Sequence, residues 1–483
     1  MQKGFKRNFE PIKILTESKV EQLHCATLNV LEEVGFKYES LKALKLLEEY
    51  GCNVNYESMI AKIPPSLVEW AIKKAPSSFM VKARDPEKSV RFGGNTLYFL
   101  NSAGARYVDI DTGIVTMPTL EQNNMAVLVS DALDTVHLFP SYTPYFEIEG
   151  VPPVMSCTVS CAQRHRYTSK PNRGAQPSDS FIWETKIAQA CNAQLLGCVE
   201  GAAPLSLAED PCNAAFHYLN AGFPTYIASG SIMGGSHPIT IAGATVSHNA
   251  ELLAITVLLQ CIKPGSGVIA NNFVSAMNMS TGDLNFGTAA IALHQMAYNQ
   301  IWHDYYKIPI NNCGSAFSNS KLIDYQLGAE KLPLAMCSAL SGASLVTMHG
   351  GVTAELAYSP ILAIIDDDIA TTIGKTIEGF EVSEDTMAVD LIKSVGPVPG
   401  TFLNKSHTRS WWKKEYFMPK SADRLSFPEW QRTGKKGVIE RAKERMEEIL
   451  ATHKVPPLSE KQDADIDRIL EEARKYYKAK GLL

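Results

Sequence analysis

Between about residue 96 and residue 350 the chain alternates short apolar runs with segments of helix length. That rhythm limits the available folds more than any other feature. The candidate strands are Thr96–Leu100, His137–Tyr142, Asn172–Gln176, Gly197–Gly201, Thr225–Ser229, Val268–Phe273, Ile308–Cys313 and Leu345–His349. Stretches such as Glu251–Cys261 and Gly287–Tyr306 lie between most of them. Eight strands with intervening helices predict an α/β fold, a (β/α)8 TIM barrel. A doubly wound open sheet is the alternative, but no GxGxxG follows a first strand.

The flanks differ from this middle. Apolar residues recur at helical steps at Val20, Leu23, Leu28, Leu31 and Val34, and Gly35 ends the run. Leu41–Tyr50 repeats the pattern before Gly51, and Pro64-Pro65 opens a third helix, Ser66–Lys74. Residues 1–95 therefore read as a helical N-terminal domain, 96–375 as the barrel with its catalytic site, and 376–483 as a helical C-terminal extension. Tyr107–Ile110 and Ile114–Thr116 flank Asp111-Thr112-Gly113 as a hairpin would. Val438–Leu450 and Ile466–Tyr477 are charged amphipathic helices, read as solvated struts.

With 45% hydrophobic and 20% charged residues over 483 positions, the chain can bury a large core. A net charge of −5 argues against nucleic-acid binding, which needs clustered cations. No apolar h-region follows the basic MQKGFKRNFEPIKIL, and no uncharged run reaches membrane-spanning length. No membrane association is expected, and the cytoplasm is the expected location.

The ten cysteines sit mostly in apolar surroundings and read as small buried hydrophobes. Cys157, Cys161 and His165 recur every four residues, a set that suits zinc, yet they lack the CxxC spacing of a closed site, so no metal is expected. Gly230–Pro238, GSIMGGSHP, lacks the Lys-Ser/Thr ending of a phosphate loop and reads as a tight turn before a helix. Asp366-Asp367-Asp368 reads as solvated or capping, since adjacent helical side chains diverge. There is no GxSxG, HExxH or Walker motif.

Nearly every candidate strand ends in polar or special residues: Asn101, Tyr142, Gln176, Glu200, Ser229, Asn271-Asn272, Asn311-Asn312 and His349. In a barrel those ends surround one site. Aromatic residues near them, Tyr98, Phe139, Tyr142, Tyr145, Phe146, Phe273 and Phe317, are individually core candidates. Several converging on one mouth would form a cage for a quaternary ammonium.

Asn312–Lys331, NCGSAFSNSKLIDYQLGAEK, resembles the trimethylamine:corrinoid methyltransferase superfamily. Val30–Tyr56 and Ile63–Pro76 resemble that family's opening helices, and Val395–Arg409 (VGPVPGTFLNKSHTR) and Phe427–Ala442 its C-terminal part. The resemblance implies that Phe317 stands where the archaeal trimethylamine enzymes carry pyrrolysine. Members without pyrrolysine look like quaternary-amine methyltransferases acting on glycine betaine, proline betaine or carnitine. A quaternary ammonium leaves as a neutral tertiary amine and needs no proton.

By the same resemblance no cofactor is bound tightly, and the acceptor is cob(I)alamin on a partner corrinoid protein docked over the barrel mouth. The enzyme's task is then positioning and desolvation, with no catalytic acid or base. Tyr98, Phe273 and Phe317 would line the cationic head, Glu200 would offset its charge, and His349 would hydrogen-bond a substrate carboxylate. Gln176, Asn272 and Asn312 would orient it. The alternatives are a non-catalytic betaine-binding protein, a tertiary-amine methyltransferase, and a Schiff-base lyase. The last needs a lysine at a strand end, and those ends hold none. The helical flanks could support a homo-oligomer, but nothing in the sequence specifies one.

Overall fold

The computed structural model describes residues 1–141, 145–354 and 356–483. Seven parallel strands run through its centre: β1 (Thr96–Asn101), β2 (Asn172–Arg173), β3 (Leu195–Gly201), β4 (Thr225–Ser229), β5 (Val268–Asn272), β6 (Ile310–Asn312) and β7 (Leu345–His349). With the antiparallel Phe5–Lys6 they make one eight-stranded sheet, in the order Phe5–Lys6, β1, β7, β6, β5, β4, β3, β2. The remaining candidate strand appears as single parallel bridges, Leu100↔Leu138 and Phe139↔Asn172, which link the two ends of the parallel array. Tyr142 lies outside the described residues.

A helix follows each strand: Leu120–Asp131 after β1, Ser156–Tyr167 after the bridged segment, then Ser180–Ala190, Glu209–Asn220, Ile241–Ile262, Ala289–Asn299, Tyr325–Leu340 and Pro360–Glu378. Strands covered on both faces by packed side chains explain the continuous apolar runs of the sequence.

The helix Ile241–Ile262 is long and apolar enough to pass as a membrane span, yet it lies buried for most of its length. It is capped by Thr240, whose hydroxyl accepts the Gly243 N–H at 3.3 Å. It is apolar all round because it sits between two layers, with β3 and β4 on one side and the N-terminal helices Glu17–Glu33 and Pro65–Lys74 on the other. The Tyr38 hydroxyl reaches its Ala254 carbonyl at 2.8 Å.

The N-terminal region is not purely helical. Phe36–Tyr38, Asn53–Asn55 and Ile60–Lys62 form a small sheet with Ser206–Leu207. The hairpin Ser78–Val81/Val90–Gly93 plugs the inner face at the strand starts, where Phe79, Val81, Val90 and Phe92 pack on Tyr98, Leu196, Ile269 and Leu345. Each buried phenylalanine is worth roughly 1.5–3 kcal/mol, so the plug is a firm floor.

One expectation for a charged segment changes. Asp366, Asp367 and Asp368 are all buried, not solvated. As the helical geometry requires, they diverge, each to its own partner. Asp366 pairs with Lys331 at 2.7 Å. Asp367 accepts the Thr135 N–H at 3.0 Å and hydroxyl at 2.6 Å. Asp368 accepts from the Lys420 and Ser421 N–H groups at 2.8 and 2.7 Å. The C-terminal helices, Val438–Thr452 and Glu460–Ala479, bury one stripe each (Ala442 and Ile449; Ile466, Ile469, Ala473 and Tyr477) and solvate the other face.

The Cys157/Cys161/His165 set does share one face of its helix, fully inside the protein. His165 Nδ1 is hydrogen-bonded to the Cys161 carbonyl at 2.9 Å, and burial pushes both thiols up. Nearby, Glu184 is buried with its Oε2 accepting the Ala175 N–H at 2.7 Å. Burial raises its carboxyl to about 8, against the opposing pull of Arg164. Between the unfolded value near 4.5 and that point, the folded protein holds a proton the unfolded chain has lost, so stability falls as pH rises. Glu184→Gln should remove this slope, on the order of 1 kcal/mol per pH unit. Urea denaturation from pH 5 to pH 8 checks it; equal slopes in both proteins refute the assignment.

Candidate functional site

The inner face of the sheet, above the plug, lines a small cavity of ≈ 30 Å³ at the C-terminal ends of the strands. Successive strand residues point to opposite faces, so one residue in two reaches it.

Arg173, the last residue of β2, enters the cavity from one side. Its guanidinium lies 4.4 Å over the ring of Tyr226 from β4, and its Nε donates to Ser141 Oγ at 2.9 Å. Glu200, near the end of β3, lines the same space. Burial pushes its carboxyl above the usual carboxylate range, and the neighbouring Arg173 charge pulls it back down. The cavity thus presents one cation and one acid close together in a poorly solvated space, where each acts more strongly than in water.

The opposite wall is aromatic. Phe273 and Phe317 meet with ring centroids 5.8 Å apart, and Phe286 backs Phe317 at 5.3 Å. Phe317 is 1% exposed. The loop that carries it is fixed from both sides. Ser318 Oγ and the Asn319 N–H donate to Glu330 at 2.7 and 2.8 Å, and the Ala354 N–H donates to the Ser318 carbonyl at 2.7 Å.

A polar ladder crosses the inner face behind these groups. The Asn311 amide NH2 donates to Asn271 Oδ1 at 2.7 Å, to the Tyr226 hydroxyl at 3.0 Å and to Thr347 Oγ1 at 3.1 Å. Pairing of β5 with β6 puts Asn271 and Asn311 directly opposite. The ladder holds Tyr226 in place beneath Arg173.

Of the residues singled out in the sequence, Glu200, Phe273 and Phe317 line the cavity. Gln176 is adjacent, its side-chain oxygen accepting the Glu200 N–H at 2.8 Å. The other four are elsewhere. Asn272 and Asn312 point out of the sheet, to His294 Nδ1 at 3.1 Å and Asn299 Oδ1 at 2.7 Å. Their neighbours Asn271 and Asn311 face inward instead, a one-residue difference that reverses the side of a strand. Tyr98 belongs to the floor, packed edge-on against Phe92 and His137.

His349 also turns outward, after a register shift between Thr347 and His349. Its Nε2 lies 2.8 Å from Thr135 Oγ1. That hydroxyl gives its proton to Asp367, so the imidazole donates, and burial holds it neutral. His349 is thus a structural link between β7 and the helix Pro360–Glu378. Arg173, Tyr226, Asn271 and Thr347 are cavity residues that the sequence reading did not single out as ligands. A charged residue within the candidate strand Asn172–Gln176 was the available signal for Arg173.

Above the cavity, Ser231–Met233, Val274–Met277 and Leu284–Asn285 form a three-stranded rim. The GSIMGGSHP segment supplies its first strand and a turn with Gly234 at φ +85, not a phosphate cradle.

Comparison with known proteins agrees with this architecture. The family model described as "Trimethylamine methyltransferase (MTTB)" matches residues 1–476. The chain is 29% identical to a glycine betaine methyltransferase of Desulfitobacterium hafniense (strain Y51), over 95% of this chain and 96% of that one. It is 27% identical to a trimethylamine methyltransferase of D. hafniense (strain DSM 10664 / DCB-2), over 96% and 94%. Among solved structures it is similar to the monomethylamine methyltransferase of Methanosarcina barkeri, with TM-score 0.52, 13% identity, and 98% and 89% of the two chains covered. At that identity the last likeness concerns the fold alone.

Proposed function

Because the chain belongs to the trimethylamine methyltransferase family, we propose that it moves a methyl group from a quaternary amine to a corrinoid carried by a partner protein. Glycine betaine is the first-choice donor, with proline betaine or carnitine next. The observation that carries this reading is the pairing of Arg173 and Glu200 in one aromatic-walled cavity. A betaine is a zwitterion of matching polarity. Its carboxylate suits the guanidinium, and its trimethylammonium suits Glu200 and the rings of Phe273 and Phe317.

The acceptor, a corrinoid cobalt(I), supplies the electron pair for the new bond to the methyl carbon. The departing nitrogen keeps the carbon–nitrogen pair and leaves as a neutral tertiary amine, so no side chain delivers a proton. The residues of this chain bind the cation, exclude water and aim one methyl group outward. The apolar Met279, Leu322 and Leu356 are exposed on the loops after β5, β6 and β7, and suit a carrier docking over the cavity. We further propose that the parallel array closes as a (β/α)8 barrel. The two bridges at residues 138 and 139 and the regular strand–helix order support this. Residues 1–95, 96–375 and 376–483 would then be its opening region, barrel and extension.

The positive charge on the donor falls as the methyl group departs, so Glu200 favours the bound ground state over the transition state. Glu200→Gln should raise KM about 10- to 100-fold with kcat unchanged or slightly higher. In the parent protein KM should rise as pH falls through the raised pKa of Glu200, because a proton then displaces the counter-charge. The variant should lose that pH dependence.

The test is anaerobic transfer to a cobalt(I) corrinoid, read by loss of its absorption, with glycine betaine, proline betaine, carnitine, choline and trimethylamine as separate donors. Transfer from one carboxylate-bearing quaternary amine supports the assignment. Transfer from trimethylamine alone, or from no donor with a corrinoid competent with another enzyme, overturns it.

A further inference from the structure

A second cavity opens at the floor end of the molecule. Asn95, Pro309 and Ser344 line it, and they stand one residue before β1, β6 and β7 respectively. The hairpin that plugs the floor supplies Ser78 and Gly93, with Ser77 just ahead of it. The volume is ≈ 400 Å³, within the ordinary range for small-molecule sites.

Among the described residues no carboxylate lines this cavity. Its polar groups are unclaimed. The Ser77 and Ser78 hydroxyls, the Asn95 amide and the Lys307 ammonium make no hydrogen bond or ion pair among the described residues. Ser344 is 1% exposed, and its Oγ also lacks a partner. A buried hydroxyl left unpaired costs stability unless something meets it. The nearby carboxylate of Asp304 is engaged by His303 Nδ1 at 2.6 Å and by Lys13 Nζ at 3.5 Å.

A buried cation lies behind these donors. Arg7 is 2% exposed, and its backbone N–H donates to the Asn95 carbonyl at 2.8 Å. Its Nη2 donates to the carbonyl of Ala343, the neighbour of Ser344, at 3.1 Å, while Nη1 has no partner. Burial lowers the guanidinium to about 10, against the opposing pull of Asp304, so it stays charged at neutral pH. A poorly solvated charge with an unmet N–H projects a stronger field than one in water.

We propose that this cavity binds a phosphate group, as the free anion or as a monoester. Three features select that chemistry. The unclaimed donors come from four separate places in the chain and meet around one space, as an oxyanion with several acceptor atoms requires. Lys307 supplies charge at the cavity itself, and Arg7 supplies it from behind. The absence of lining carboxylates disfavours a metal ion or an amine. A bound phosphate would tie the hairpin plug to the starts of β6 and β7, the strands that carry Asn311 and Thr347, and would stabilise the floor by mass action.

Equilibrium dialysis of the full chain, with ionic strength held constant by chloride, should show saturable binding of inorganic phosphate or of phenyl phosphate. The melting temperature should rise over the same concentration range. Tighter binding of the ester would give its organic part a place against Ile308 and Pro309, and equal binding would make the phosphate group the whole ligand. Lys307 is exposed and sits at φ +60, a region that asparagine tolerates, so Lys307→Asn keeps the fold. It should weaken binding at least ~10-fold through loss of a charged donor. Ser344→Ala should weaken binding by roughly 5-fold without lowering the melting temperature of the phosphate-free protein, since its hydroxyl has no partner to lose. A protein that binds neither probe overturns the proposal, as does an affinity unchanged by either substitution. No amine or corrinoid enters these measurements, so their outcome is independent of the methyl-transfer reading.

Discussion

Lys331→Met will cost the folded protein about 3–5 kcal/mol, the usual penalty for stranding one partner of a buried ion pair. Lys331 and Asp366 are both fully buried with Nζ and Oδ2 2.7 Å apart. Burial lowers the lysine and raises the aspartate, so each depends on the other to stay charged. Asp366 also accepts the Gly350 N–H at 2.8 Å, and Lys331 reaches toward the Gly351 carbonyl at 3.4 Å. The pair thereby fixes the backbone just after β7, where Gly350 sits at φ +83, a conformation that favours glycine. The double variant Lys331→Met/Asp366→Asn keeps an acceptor for Gly350 and buries no charge. It should recover most of the loss in equilibrium urea unfolding. Equal losses in the single and double variants would show that the charge is not what the single change strands.

Arg173→Gln is expected to lower kcat/KM for a carboxylate-bearing quaternary amine by ~10²-fold, the worth of a charged hydrogen bond of roughly 1.5–3 kcal/mol. Choline, which has the same head group and no carboxylate, should change by much less. The comparison separates recognition from damage, because loosening Tyr226 or Ser141 would impair both donors alike. Parallel loss on the two substrates removes Arg173 from carboxylate binding.

The central strands are legible because each is an apolar or small-residue run bounded by turn formers, and both their faces are covered. That same coverage hides the direction of each side chain. Asn271 and Asn272 look equivalent in sequence, yet one enters the cavity and the other meets His294. Only the pairing partners on either side fix which is which. His349 follows a local register shift that alternation does not anticipate. Tyr98 could have been set aside, since it stands early in its strand while ligands gather at strand ends. Glu200, Phe273 and Phe317 stood out as a charge or ring at a strand end or just beyond it. The three consecutive aspartates misled because their partners come from residues 135, 331 and 421, far away in the chain. Their density of charge looked like a solvated face for the same reason.

If the proposed reaction holds, the hairpin floor would impose a sequence of events. With Phe79 and Phe92 packed into one end of the sheet's inner face, the amine and the corrinoid carrier would both approach from the other end. Under the proposed reaction the amine must enter first, since a carrier that arrives early stands over an empty chamber and bars its own substrate. The demethylated product is likewise trapped until the carrier steps away. Turnover would then follow a compulsory order, and the lifetime of the two-protein complex, set at the rim and not by any group inside, would govern how fast the amine escapes.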